Sequence, residues 1–219
     1  MNNSIELHLF SGLALLLLTY YSFKTLRSPK VCAFALMPLI LALEQFSLFL
    51  LLVTAQHPKL SYLNDFFTLF FLILSQVIWP IWVPFSLQRM EQTWSIQKIL
   101  TFFTYLGLVA ALIGTWDIIF YNVHIVNIGD RFYLVQTSVG YFQKFGIYFW
   151  IAATFLPAFI SYTPRMWVFA LTLAGAGIYL LFLNHNDFII FTPYGTLALA
   201  MSLYIVLLGV KNEYVGICD

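Results

Sequence analysis

Charge is what this chain of 219 residues has least of: Asp, Glu, Lys and Arg together make up 9% of it, where a soluble domain carries about 25%. Such scarcity excludes an ordinary soluble fold, a disordered tail and nucleic-acid binding, all of which need solvated or basic surface. Cysteine is nearly absent. The two present, Cys32 and Cys218, match no metal-binding spacing and are expected as reduced free thiols on the inner side of a membrane. Long polar connectors are missing too, so no separate soluble domain fits. The net charge of +1 gives no bias toward acidic or basic partners.

Apolar residues fill the space left by charge, at 62% hydrophobic and 19% aromatic. Uninterrupted apolar stretches of helical length predict seven spans near 5–23, 31–54, 66–87, 99–121, 138–160, 166–183 and 194–210. A β-barrel would need ten-residue alternation, whereas LALLLL, LFLLLV and FTLFFLIL are continuous, so the expected fold is an all-α bundle in one domain. With the N-terminus outside, the inner connectors hold Lys24, Arg27, Lys30, Arg89, Lys98, Arg165 and Lys211, and the outer ones hold only Lys59 and Arg131. That asymmetry predicts N-out, C-in topology, with a bacterial inner membrane as the expected location. The first span has no preceding basic stretch and carries Glu6 near its start, so it reads as retained rather than cleaved.

Helices meet in lipid through small and polar residues, because the bilayer supplies no hydrophobic drive and close packing must replace it. Span 4 carries such a stripe in Gly107, Ala110, Ala111 and Gly114, and Asp117 shares it. In span 5 the equivalent face is Gln136, Gly140, Gln143 and Lys144, which predicts an inward-pointing lysine. Span 1 runs Ser4, His8, Ser11, Thr19 and Ser22. Span 6 runs Ala170, Ala174, Gly177 and Asn184.

Three ionisable residues fall inside spans: Glu44, Asp117 and Lys144. A charge at the bilayer centre costs about 2.5 to 3.5 kcal/mol even on insertion scales, so each needs a partner, a wet cavity or a neutral state. Lys144 and Asp117 lie within about 3 Å of the same depth and are the expected ion pair, with Glu44 about one turn deeper. Two carboxylates and one ammonium leave a negative surplus, which a proton on Glu44 or a bound cation would meet. Together with Gln76 and Gln143 these three define a candidate ligand or ion cavity. All four histidines fall at outer positions, and His8, His124, His185 and Asp187 form a candidate metal set on that face, although no recognised zinc spacing is present.

The most distinctive run is Gln76-Val77-Ile78-Trp79-Pro80-Ile81-Trp82-Val83-Pro84. Each proline lacks an N–H and clashes with the carbonyl four residues back, so Pro80 frees the carbonyl of Gln76 and Pro84 that of Pro80. A third helix kinked at Pro80 and Pro84 is expected, packed by Trp79 and Trp82. This block, with Glu91 seven residues on, PLILALEQ at 38–45 and FLPAFIS at 155–161, resembles the pattern of a family of small bacterial seven-helix membrane proteins of unknown function. The resemblance implies the same architecture. It departs at Glu44, where that family tends to have glutamine, and in lacking an N-terminal cysteine motif. A retinal protein would need a lysine in span 7, which has none. A zinc-dependent membrane hydrolase with a late HxxxH has no counterpart either, since His185 is the only late histidine. Three functions remain: a non-enzymatic binder of a small molecule, proton or cation acting as transporter or sensor; an accessory subunit packing against a membrane-protein partner or a second copy; and a metal-dependent membrane hydrolase.

Overall fold

The computed structural model describes residues 2–25, 29–57, 60, 62–120, 123–128, 131–136, 140–183 and 193–215. Helix α1 is Asn2–Thr25. Helix α2 runs as Pro29–Ala35 and Met37–Gln56, and α3 as Tyr62–Leu72, a π-turn at Ile73–Ile78, and Trp79–Met90. Helix α4 is Trp94–Phe120. A π-turn at Phe142–Gly146 leads into Ile147–Ile160 to make α5. Helices α6, Met166–Leu183, and α7, Pro193–Val215, complete an all-helical bundle. Four stretches, Ile5–Lys24, Lys30–Gln56, Tyr62–Met90 and Trp94–Phe120, are long and apolar enough to cross a membrane. The apolar stretches Lys144–Ile160, Met166–Gly175 and Gly195–Val210 are shorter among the described residues.

Between α4 and α5 the chain forms an antiparallel hairpin, β1 (Val123–Ile128) and β2 (Arg131–Gln136), with Val123 opposite Gln136 and Ile128 opposite Arg131. This corrects the placement of Gln136 on the polar face of span 5. VHIVNI and RFYLVQ are rich in β-branched and aromatic residues and are separated in sequence by Gly-Asp, so strand preference wins over helix extension there.

Helix α2 is the centre of the bundle. Its buried residues include Met37, Leu41, Glu44, Gln45, Leu48, Leu51 and Leu52, which occupy more than one face. The expected stripe on α4 is buried throughout: Gly107, Ala110, Ala111, Gly114 and Asp117. On α1, His8, Ser11, Thr19 and Ser22 are buried as well. Aromatic packing at Phe34 and Phe169, edge to face at 6.1 Å, joins α2 to α6.

The distortion in α3 takes the form of a π-turn, with the N–H of Trp79 donating to the carbonyl of Leu74, five residues back. In that register the bond Pro80 cannot donate belongs to Ser75 rather than Gln76. The Ser75 carbonyl instead accepts the indole N–H of Trp150 at 2.8 Å. One turn later, the Pro80 carbonyl that Pro84 leaves open lies against Gly107, where any Cβ would overlap its oxygen. Trp82 donates its indole N–H to the Ala33 carbonyl at 2.9 Å. The proline block thus fixes α3 to α5 through the acceptor opened at Ser75, to α4 through the close approach at Gly107, and to α2 through the Trp82 indole.

Candidate functional site

Two adjacent residues at the middle of α2 carry the polar chemistry of the core. Gln45 is wholly buried, so its amide must be satisfied by other side chains. Its Oε1 faces His8 Nδ1 at 2.8 Å and accepts from the Ser11 hydroxyl at 3.1 Å. Its Nε2 donates to the Thr196 hydroxyl at 2.9 Å. His8 and Ser11 sit three residues apart on one face of α1, and Thr196 lies in the first turns of α7. One amide therefore ties α1, α2 and α7 together. In this amide orientation His8 donates from Nδ1, and its Nε2 lone pair stays outside the network.

Glu44 stands one residue before Gln45 and is 0% exposed. Neither Oε1 nor Oε2 has a hydrogen-bond partner among the described residues. The side chains one turn away on α2 are largely apolar, and Leu41 and Leu48 are themselves buried. Ser47, the polar exception, turns its hydroxyl back to the Glu44 carbonyl at 2.7 Å.

Asp117 and Glu91 are buried as well but differ in company. Asp117 accepts the backbone N–H of Tyr141 at 3.1 Å, capping the start of α5. Gly140 makes this possible, since a Cβ there would overlap the carboxylate. Lys144, expected to pair with Asp117, is exposed. The physical reason is the π-turn at Phe142–Gly146, which adds a residue to the turn and rotates position 144 away from the face computed for a regular helix. Glu91 closes the connector between α3 and α4. Its Oε1 accepts from the N–H groups of Gln92 at 3.1 Å and Thr93 at 3.4 Å. Its Oε2 accepts from the Tyr162 N–H at 2.9 Å and the Ser161 hydroxyl at 3.2 Å.

Of the remaining sequence candidates, Gln76 is buried in the π-turn of α3, Gln143 lies in the π-turn of α5, and Trp79, Pro80 and Pro84 are buried. His124 falls in β1, and His185 and Asp187 lie outside the described residues. Among the described residues no group of three or more His, Cys, Asp or Glu could hold a metal ion. Comparison with known protein families, curated proteins and solved structures yields no match. Function must therefore be argued from the site itself.

Sequence reasoning met Gln45 and Glu91 only as parts of the resemblance, not as site residues, and did not reach Thr196. Gln45 and Thr196 are neutral and 151 positions apart, so a search for intramembrane charge does not register them. Glu91 did carry a signal: an acidic residue directly after one helix and just before Trp94, the first residue of the next, is a natural cap for orphan N–H groups.

Proposed function

We propose that this chain is a non-enzymatic membrane binder of a proton or small cation, serving as a transporter or sensor, with Glu44 as the binding group. A single observation carries the reading: a carboxyl group sealed in the core with neither oxygen hydrogen-bonded among the described residues. An ionised carboxylate so placed loses its hydration without return, a cost of several kcal/mol per ion. Glu44 therefore holds its position together with a bound proton or a bound cation. The neighbouring amide network, running from His8 through Gln45 to Thr196, gives such binding a way to reach three helices at once.

The test is thermal melting of the detergent-purified full chain across pH and across choline, sodium, potassium and calcium chlorides, with Glu44→Gln alongside. Stabilisation by protons or by one cation in the wild type, absent in Glu44→Gln, supports the reading. Melting insensitive to all of them rejects it.

In this reading the N-terminus lies outside and the C-terminus in the cytoplasm of a bacterial inner membrane, on the strength of the basic connectors.

A further inference from the structure

We infer that the occupant of the Glu44 site is a single proton rather than a metal cation. The inference rests on the binding reading above and narrows it. A hard cation such as calcium or magnesium needs about six oxygen ligands, and its site is recognised by the oxygens converging on it. Along the helix that carries Glu44 they do not converge, and neither carboxyl oxygen has a hydrogen-bond partner among the described residues. Along α2 the positions one turn away are Ile40, Leu41 and Leu48, all buried and apolar, together with Ser47, whose hydroxyl is bonded to backbone. The nearest side-chain amide oxygen in sequence, Gln45 Oε1, already faces two donors, His8 and Ser11. A proton asks for no ligand shell: bound to one carboxyl oxygen, it removes the charge and leaves only the smaller cost of burying a neutral acid.

Countercharge from the protein does not replace it. Helices α1, α3, α6 and α7 pack against α2. The titratable group they bury among the described residues is His8, which Gln45 engages. Glu6 and Lys24 on α1, Lys30 on α2, and Asp65 and Arg89 on α3 are exposed, and α7 carries no charged residue from 195 to 210. Loading is the reaction of the Glu44 carboxylate with hydronium to give the carboxylic acid and water: one O–H bond forms on Glu44, one breaks on hydronium, and one negative charge is neutralised. Release reverses it.

Infrared spectroscopy of the full chain, reconstituted in lipid and titrated with pH in sodium and in choline buffers, reads this directly. The expected result is a protonated-carboxyl stretch at neutral pH that shifts in heavy water, disappears in Glu44→Gln, changes frequency in Glu44→Asp, and is indifferent to the cation. His8→Asn should retain it. Should Glu44→Gln fail to fold, the heavy-water shift and the Glu44→Asp frequency still decide. Loss of the stretch on adding sodium, potassium or calcium, with melting stabilised by the same ion, would overturn the proton while leaving the binding reading intact. No protonated stretch and no cation effect would overturn both.

Discussion

Glu91 and Glu44 are 6% and 0% exposed, yet one carboxyl group collects four donors and the other has none among the described residues. Glu91 sits at an end of the bundle, where helices stop and leave N–H groups unpaired, and its two oxygens collect the Gln92, Thr93 and Tyr162 amides and the Ser161 hydroxyl. It fastens the connector after α3 to the connector after α5. Glu44 sits in mid-helix, where every backbone N–H is already used and only other side chains could approach. Asp117 belongs with Glu91, since it too serves the open end of a helix. Burial alone therefore does not mark a functional carboxylate. The distinguishing property is whether the fold has given the charge hydrogen bonds that repay its desolvation.

That contrast breaks first at Glu91, where the largest effect is expected. Glu91→Ala leaves donors from two connectors without their shared acceptor. Bonds to a charged acceptor are worth about 1.5 to 3 kcal/mol each, and water at the connectors restores part of that, so a loss of about 3 kcal/mol is expected. Glu91→Gln, which keeps one acceptor oxygen, should lose less. Equilibrium unfolding in mixed micelles measures both. A Glu91→Ala protein as stable as wild type would show that the four contacts are incidental, and the division between the two carboxylates would collapse.

The second effect sharpens the role of helix packing in the same comparison. Gly107→Ala places a methyl group onto the Pro80 carbonyl, which is backbone and cannot swing aside, so about 2 kcal/mol should be lost through forced separation of α3 and α4. Gly12→Ala is the control. There the neighbour is the Phe46 ring, 3.1 Å from the added carbon, and a side chain can move. Equal losses at the two glycines would mean that the close approach at Pro80 has no special weight.

Much of the frame was legible in the sequence for a plain reason. A bilayer demands helices of a certain length, and small residues mark where they touch, so the seven apolar helices and the buried face Gly107–Asp117 follow from composition and period. Whatever departs from a regular period was not legible. The π-turn in α5 rotated Lys144 outward, the π-turn in α3 moved the open acceptor from Gln76 to Ser75, and the hairpin took Gln136 out of its helix. Glu44 was readable as a costly residue. Its lack of partners among the described residues was not, because that depends on helices brought together from distant parts of the chain.

The smallest effect on stability is expected at Glu44, and it bears hardest on the comparison. Methionine matches glutamate in length and suits a buried position flanked one turn away on α2 by Leu41 and Leu48. Since Glu44 makes no hydrogen bond among the described residues, Glu44→Met strands no donor. It also removes the cost of burying a carboxyl group without hydrogen bonds, a cost that remains even for the neutral acid. The expected outcome is a protein at least as stable as wild type that has lost its response to pH. A group retained at a cost to stability is the mark of a site kept for function. If Glu44→Met instead loses about 2 kcal/mol or more in the same micelle assay, Glu44 holds the bundle together as Glu91 does. Its bare oxygens would then have a structural partner in the membrane, and the binding reading would lose the observation on which it stands.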